Sequence, residues 1–144
     1  MRGIVFHGPY DVRVETVPDP GLRDRRAALV QVTRSSICGS DLHLFHGSVP
    51  SEPGVVIGHE CVGVVADTGA DVRRFRKGDR VIVPGVVGCG DCEPCRRGYA
   101  VGCLTFVNKV YGFSSDLPGG QAELIAVPNA DVNLWPSPPD LSDD

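Results

Sequence analysis

The sequence predicts a mainly β domain that carries an irregular cysteine-rich lobe. Its 144 residues are enough for one hydrophobic core but too few for two full domains, so we treat 1–144 as one domain. Eighteen glycines and twelve prolines are scattered between short apolar runs, which indicates many turns and short strands. Four of the six cysteines fall between Cys89 and Cys103, which places the lobe at about residues 88–104.

The first half of the chain predicts a hairpin, a third strand and one helical turn. Gly3 to Phe6 and Val12 to Val17 form two strands joined by the turn His7 to Asp11. Leu29 to Val32 alternates apolar and polar residues, as a half-buried strand does. The stretch from Ser40 to Phe45 suits one short helical turn.

The second half predicts three more strands around the lobe. Glu60 to Ala66 is an apolar strand interrupted by Gly63, a glycine that marks a bulge or a close approach of backbone. Arg80 to Val83 and Ala122 to Val127 are the other two strands. The tail from Leu134 to Asp144 is expected to lead into a further element.

Composition and charge argue against several classes of protein. The net charge of −4 provides no basic field for nucleic acid. The N-terminus lacks the apolar segment of a signal peptide, and no run approaches the ~20 apolar residues of a membrane span. We therefore expect a cytoplasmic protein with neither nucleic acid nor a membrane as partner, and a homo-oligomer is one candidate assembly.

The cysteines at 89, 92, 95 and 103 follow the spacing C-x2-C-x2-C-x7-C. Four thiolates can surround one zinc ion tetrahedrally and leave no position for a substrate, so the pattern predicts a structural zinc site. A disulfide framework is less consistent with a reducing compartment. An iron–sulfur run C-x2-C-x2-C-x3-C-P is matched only in its first half, and a nucleic-acid zinc ribbon fits neither the spacing nor the charge.

Cys38, His59 and Glu60 form a second candidate metal site with mixed ligand types. Catalytic zinc sites combine three protein ligands with an open position. Gly58 permits a tight turn that aims the His59 imidazole inward. Adjacent strand residues point to opposite faces, so His59 and Glu60 reach one metal only if the backbone is irregular or Glu60 acts from outside the ligand shell. Taken alone, His59 fits a buried core histidine equally well.

Four motifs, together with the cysteine lobe, occur in an order that resembles one enzyme family. They are C-G-S-D-x-H at 38–43, G-H-E-x-x-G at 58–63, K-G-D-R-V at 77–81 and G-G-Q-A-E at 119–123. The pattern is similar to the zinc-containing medium-chain alcohol dehydrogenases, and it covers nearly the whole chain. The resemblance implies the N-terminal catalytic domain of that family, a GroES-like, partly open β-barrel with an irregular zinc-binding lobe.

The resemblance implies two zinc ions per chain. The lobe cysteines match the structural zinc ligands of the family. Cys38 and His59 match two ligands of the catalytic zinc, and Glu60 matches a glutamate that lies beside that metal. The remaining protein ligand of the family lies further along the chain than residue 144.

Neighbouring residues match the groups that move and hold protons in the family. Ser40 and His43 match a hydroxyl and a histidine that relay the alcohol proton to water. The alternative interpretations are a capping serine and a solvent-facing histidine. Asp41 matches a carboxylate that orients the ligand histidine, here His59. Cys61, the sixth cysteine, is expected to be a small buried strand residue.

The family's cofactor is NAD or NADP, bound by a Rossmann domain with a G-x-G-x-x-G turn that 1–144 lacks. The resemblance therefore implies the zinc-carrying part of an alcohol or aldehyde dehydrogenase, in which zinc polarises the alcohol oxygen for hydride transfer. We expect this part to be inactive without the cofactor domain, and no cofactor-binding residue can be named in it. The alternative is a stand-alone zinc-binding β-barrel module with a structural or binding role.

Overall fold

A computed structural model describes residues 1–22 and 24–144. The described residues form mostly short strands, with three short helices and a 3-10 turn at Ala100–Gly102. In chain order the elements are β1 (Arg2–Gly8), β2 (Asp11–Thr16), β3 (Ala28–Ser35), α1 (Gly39–Phe45), β4 (Val55–Val56), β5 (Cys61–Thr68), β6 (Arg80–Val83), α2 (Glu93–Arg96), β7 (Leu124–Val127), α3 (Ala130–Asn133) and β8 (Trp135–Pro136).

The smaller sheet has three strands in the order β2-β1-β4. Strands β1 and β2 form the predicted hairpin, with Ile4 opposite Val14 and Phe6 opposite Val12. The turn between them places Tyr10 in the left-handed region, at φ 63°. Strand β4 pairs with the other edge of β1, and the Gly-His-Glu motif follows β4 in the chain.

The larger sheet has five strands in the order β7-β3-β5-β6-β8, and its four neighbouring pairs are antiparallel. The predicted interruption at Gly63 is confirmed. A side chain there would meet the carbonyl of Gln31 and lie 2.8 Å from Val30, and the register slips between Val32 and Arg34. Neither sheet closes on itself, so the prediction of a mainly β, partly open architecture is confirmed.

Two apolar clusters support the sheets. The larger one lies on the five-stranded sheet and includes Val30, Val65, Val81 and Tyr111, each no more than 1% exposed. The smaller one joins Phe6 of β1 to Leu44 of α1 and to Ile57. The second cluster holds α1, which carries four residues of the C-G-S-D-x-H motif, against the three-stranded sheet.

Three elements outside the cysteine lobe were not predicted: β4, α3 and β8. The tail forms the edge strand β8 against β6, and α3 precedes it. Pro136 is tolerated there because β8 lies at the edge of the sheet, where a missing N–H breaks no second ladder. Among the described residues, none of the helices has the length and apolar character needed to cross a bilayer.

Candidate metal centres

The four lobe cysteines converge on one point. Their sulfur atoms all lie within 4.8 Å of one another, and the sulfurs of Cys89 and Cys95 are 4.0 Å apart. Sulfurs bound at ~2.3 Å to one tetrahedral zinc lie roughly 3.8 Å from each other, so the spacing suits zinc. All six cysteines lie in the described ranges and are free thiols, which does not support a disulfide framework.

Backbone N–H groups already point at two of these sulfurs. The Cys89 sulfur accepts hydrogen bonds from the N–H of Cys92 at 3.3 Å and of Asp91 at 3.4 Å. The Cys103 sulfur accepts from the N–H of Cys89 and of Phe106, both at 3.3 Å. Such donors stabilise a negative charge on sulfur, the form that binds a metal.

The pKa values of the lobe thiols reflect these hydrogen bonds and the burial of each sulfur. The hydroxyl of Thr105, followed by neighbouring backbone N–H groups, lowers the pKa of Cys89 to about 6. Burial opposes ionisation of Cys103, but backbone N–H groups outweigh it and lower the pKa of that thiol. Burial raises the pKa of Cys95 to about 11. The lobe therefore makes ionisation easier at Cys89 and Cys103 than in an unperturbed thiol, before any cation adds its charge.

The entry to the lobe is fixed by a buried amide that the sequence interpretation missed. Asn133 of α3 accepts a hydrogen bond from the N–H of Gly88 at 2.8 Å and donates to its carbonyl at 2.9 Å. The same amide donates to the carbonyl of Pro128 at 2.8 Å. Because Gly88 precedes Cys89, α3 determines where the lobe begins.

The second candidate site also comes together. One donor atom each of Cys38, His59 and Glu60 lies within 4.8 Å of the other two. Strand β3 ends three residues before Cys38 and β5 begins directly after Glu60, so the pairing of these strands brings the ligands to one end of the sheet. The N–H of Ser36 donates to the carbonyl of Glu60 at 2.9 Å, and this hydrogen bond joins the segment after β3 to the segment before β5.

The backbone at His59 is irregular, which is the condition under which His59 and Glu60 can share a metal. Both residues lie between β4 and β5 rather than within a strand. Gly58 has φ +98°, a conformation that L side chains rarely adopt. Its carbonyl accepts a hydrogen bond from the N–H of Gly120 at 2.9 Å, so the Gly-Gly segment that begins the G-G-Q-A-E motif stabilises the turn.

Asp41 lies beside the imidazole of His59. Its Oδ1 is 3.6 Å from His59 Nδ1, and that nitrogen is buried without a hydrogen-bond partner among the described residues. Its Oδ2 accepts the N–H of Cys38 at 2.9 Å and the side-chain amide of Gln121 at 3.2 Å. One buried carboxylate thus contacts the backbone of one candidate ligand and faces the ring of another.

The two predicted proton-transfer residues occupy different surroundings. The Ser40 hydroxyl lies 2.9 Å from His59 Nε2. His43 is exposed, and it follows Ser40 by three residues on α1, so both lie on neighbouring positions of one helix face. Phe113 packs near His59, with ring centroids 5.5 Å apart.

Cys61 does not join either cluster. Its side chain is 5% exposed, and burial raises its pKa to about 12. A Cβ at Gly120 would lie 2.5 Å from the Cys61 sulfur, so Gly120 provides the space for this thiol. Cys61 is the small buried strand residue that the sequence predicts.

The donor sets of both clusters fit zinc. Thiolate sulfur, imidazole nitrogen and carboxylate oxygen are the ligands that zinc accepts in proteins. The lobe offers four sulfurs and no further donor type. The second cluster offers three mixed donors, of which Glu60 is exposed, and so leaves room for another ligand.

The family to which this architecture belongs is shown by comparison with known proteins. The alcohol dehydrogenase GroES-like domain matches residues 24–138, which is most of the chain. The chain therefore belongs to the alcohol dehydrogenase GroES-like domain family. The motif-based assignment to zinc-type, medium-chain alcohol dehydrogenases is confirmed at the level of the family.

Individual relatives agree with this assignment. The chain is 41% identical over 139 residues to zinc-type alcohol dehydrogenase B of Aspergillus flavus, covering 96% of this chain and 32% of that protein. It is 41% identical over 145 residues to a medium chain reductase/dehydrogenase of Acremonium sp, covering 100% of this chain and 49% of the relative. Alcohol dehydrogenase TADH from Thermus sp. ATN1 superimposes with a TM-score of 0.93 at 42% identity, covering 99% of this chain and 42% of the Thermus chain. The chain thus spans between about a third and a half of these proteins' length.

Proposed function

We propose that this chain is the zinc-carrying part of an NAD(P)-dependent dehydrogenase that acts on an alcohol or an aldehyde. The observation that carries the proposal is the convergence of Cys38, His59 and Glu60 beside the Ser40 hydroxyl. A metal that only stabilises the fold does not need an open coordination position beside a hydroxyl group. The names of the relatives, zinc-type alcohol dehydrogenase among them, support the same activity.

Two zinc ions per chain belong to the proposal. Cys89, Cys92, Cys95 and Cys103 would hold one ion in a closed sulfur shell with a structural role. Cys38 and His59 would hold the other, with Glu60 beside it or in its shell. When bound in the second site, zinc supplies Lewis-acid chemistry that makes an alcohol hydroxyl easier to deprotonate.

The protein's own residues would then position the substrate and carry away its proton. Ser40 lies 2.9 Å from His59 Nε2, so its hydroxyl can accept a hydrogen bond from an alcohol in the open position and pass the proton on. His43 on the same face of α1 is exposed, so its imidazole can make the last transfer of the proton to water. Asp41 would hold the imidazole of His59 in place.

Hydride transfer needs a nicotinamide cofactor, and we propose that NAD or NADP binds to a separate Rossmann unit rather than to these residues. The chain alone is then inactive. A soluble, cytoplasmic setting and a small-molecule substrate complete the proposal. No residue of this chain is assigned to cofactor binding.

The test is to fuse the chain to the cofactor-binding part of the Thermus alcohol dehydrogenase and to measure NAD(P)H formation from an alcohol series. We expect turnover with the fusion and none with the chain alone. Cys38→Ser in the fusion should abolish turnover, while Cys61→Ser, the matched change outside both clusters, should retain it. A fusion that folds and holds zinc but shows no turnover on any alcohol or aldehyde would favour the stand-alone zinc-binding module.

A further inference from the structure

Gln121 is buried at the junction of three motifs of the second site. Its side-chain Nε2 donates to the carbonyl of Ser36 at 3.1 Å and to Asp41 Oδ2 at 3.2 Å. We propose that Gln121 is a positioning residue that holds the Asp41 carboxylate against His59 and so sets the metal affinity of the site. The inference rests on the proposed function, because it requires a metal at Cys38 and His59.

The chemistry of the two acceptors fixes the orientation of the amide. A carboxylate oxygen and a backbone carbonyl both need donors, and the two hydrogens of Nε2 serve one each. A flipped amide would place its oxygen against two acceptors, so the donor assignment is unambiguous. Asparagine is too short to span the same groups, and glutamate would replace both donors with acceptors.

The hydrogen bond from Gln121 to Asp41 Oδ2 keeps the other carboxylate oxygen, Oδ1, directed at His59. With Gln121 present, Oδ2 accepts two hydrogen bonds and Oδ1 is left facing His59 Nδ1 at 3.6 Å. Without it, Oδ2 keeps only the N–H of Cys38, and the carboxylate is free to turn. An imidazole whose other nitrogen is held by a carboxylate is a better oriented and more basic metal ligand.

The hydrocarbon stem of Gln121 has a separate packing role. A Cβ on Gly58 would collide with the stem, so the Gln121 side chain closely fills the space beside the residue that precedes His59. A substitution that tests the amide must therefore keep the stem. Methionine has nearly the same length and no donor, which makes Gln121→Met the appropriate variant.

The experiment measures binding of Zn²⁺ and Co²⁺ to the full chain. We expect Gln121→Met to weaken metal binding at the Cys38–His59 site by about 10-fold and to change the visible absorption of Co²⁺ bound there. Zinc in the four-cysteine lobe should stay close to wild type, while the melting temperature should fall only modestly, because two hydrogen bonds of a buried amide are lost. The matched control is Gln31→Met, which makes the same change at an exposed position of β3.

The possible outcomes separate the two claims. A wild-type chain that takes up no second metal defeats the proposed function, and the Gln121 inference falls with it. A second metal bound with unchanged affinity and spectrum in Gln121→Met overturns only the positioning role. Equal loss of metal from both sites with a lower melting temperature would mean that Gln121 is merely structural, which also overturns it.

A double variant tests whether Gln121 acts through the carboxylate. In an Asp41→Ala background, Gln121→Met should change metal affinity by less than about 2-fold, because interacting residues are not additive. A full 10-fold effect that persists without Asp41 would show that Gln121 acts by some other route and would contradict the proposed mechanism.

Discussion

Single residues determine whether the second site can form, and Gly58 is the most constrained of them. Its φ of +98° turns the chain so that His59 points to Cys38 rather than away from it. An added Cβ would also lie 2.7 Å from the backbone nitrogen of Gln121. The glycine of the Gly-His-Glu motif is therefore needed for its backbone conformation and for the space that it leaves.

We predict that Gly58→Ala loses metal from the Cys38–His59 site and lowers the free energy of unfolding. The backbone conformation alone should contribute about 1–3 kcal/mol. Metal analysis and chemical denaturation measure both effects. Gly21→Ala is the control, since its Cβ would meet nothing within 4 Å, and it should behave like wild type. Full metal content in Gly58→Ala would contradict this account of the turn.

The sequence placed Cys38 and His59 in one candidate site only through the family resemblance, and it gave no indication of the contacts around them. The structure brings one donor atom of each within 4.8 Å of the other. The contact from Gln121 to Asp41 spans 80 positions and depends on the pairing of the Gly-Gly segment with the turn at Gly58. No local pattern encodes such a contact, so the role of Gln121 could be found only in the folded chain.

Among the elements, the cysteine lobe differs most from the sheets, because little apolar burial supports it. Helix α2 has four residues and none of them is buried, and the 3-10 turn has no buried residue either. Isolated helices of this length are not stable in water. We propose that a metal held by the four sulfurs supplies the stabilisation that apolar burial does not provide.

We predict that serine at Cys89, Cys92, Cys95 or Cys103 removes one zinc per chain and lowers the melting temperature. Serine keeps the size of the side chain but is a much poorer zinc ligand than a thiolate. Elemental analysis and thermal denaturation are the measurements, with Cys61→Ser as the cysteine control outside the cluster. Unchanged zinc in all four variants would contradict the assignment of the lobe.

Strand prediction succeeded where the hydrophobic pattern was local and failed where it was not. The hairpin and β6 follow from alternation and from their flanking turns. Strand β8 has only two residues and contains Pro136, which argues against a strand unless it lies at an edge. Helix α3 has four residues and no periodicity long enough to detect.

On the scale of the whole molecule, the tail beyond β8 ties two strands of the larger sheet together. Asp143 accepts a hydrogen bond from Arg80 of β6 at 2.5 Å and from Thr33 of β3 at 2.6 Å. These donors, Arg80 first and Thr33 second, lower the pKa of Asp143. A carboxylate with a lowered pKa in the folded state stabilises the fold at neutral pH, and this contribution disappears as the pH falls through that pKa.

We therefore predict that Asp143→Asn lowers the melting temperature at neutral pH and that the difference from wild type narrows as the pH falls from about 5 to about 3. Asp140→Asn, an exposed change in the same tail, should show no such trend. Melting curves across this range measure both variants. A difference that is constant with pH would mean that the charge of Asp143 does not matter.

We have proposed that one chain holds two metal sites of different design, a closed sulfur site and an open mixed site. Anomalous diffraction from crystals of the zinc-loaded chain, measured at the zinc absorption edge, shows whether both sites bind zinc. We predict two anomalous peaks, one among the four lobe sulfurs and one beside Cys38 and His59. A single peak in the lobe, or bonded sulfur pairs without any peak, would contradict the claim.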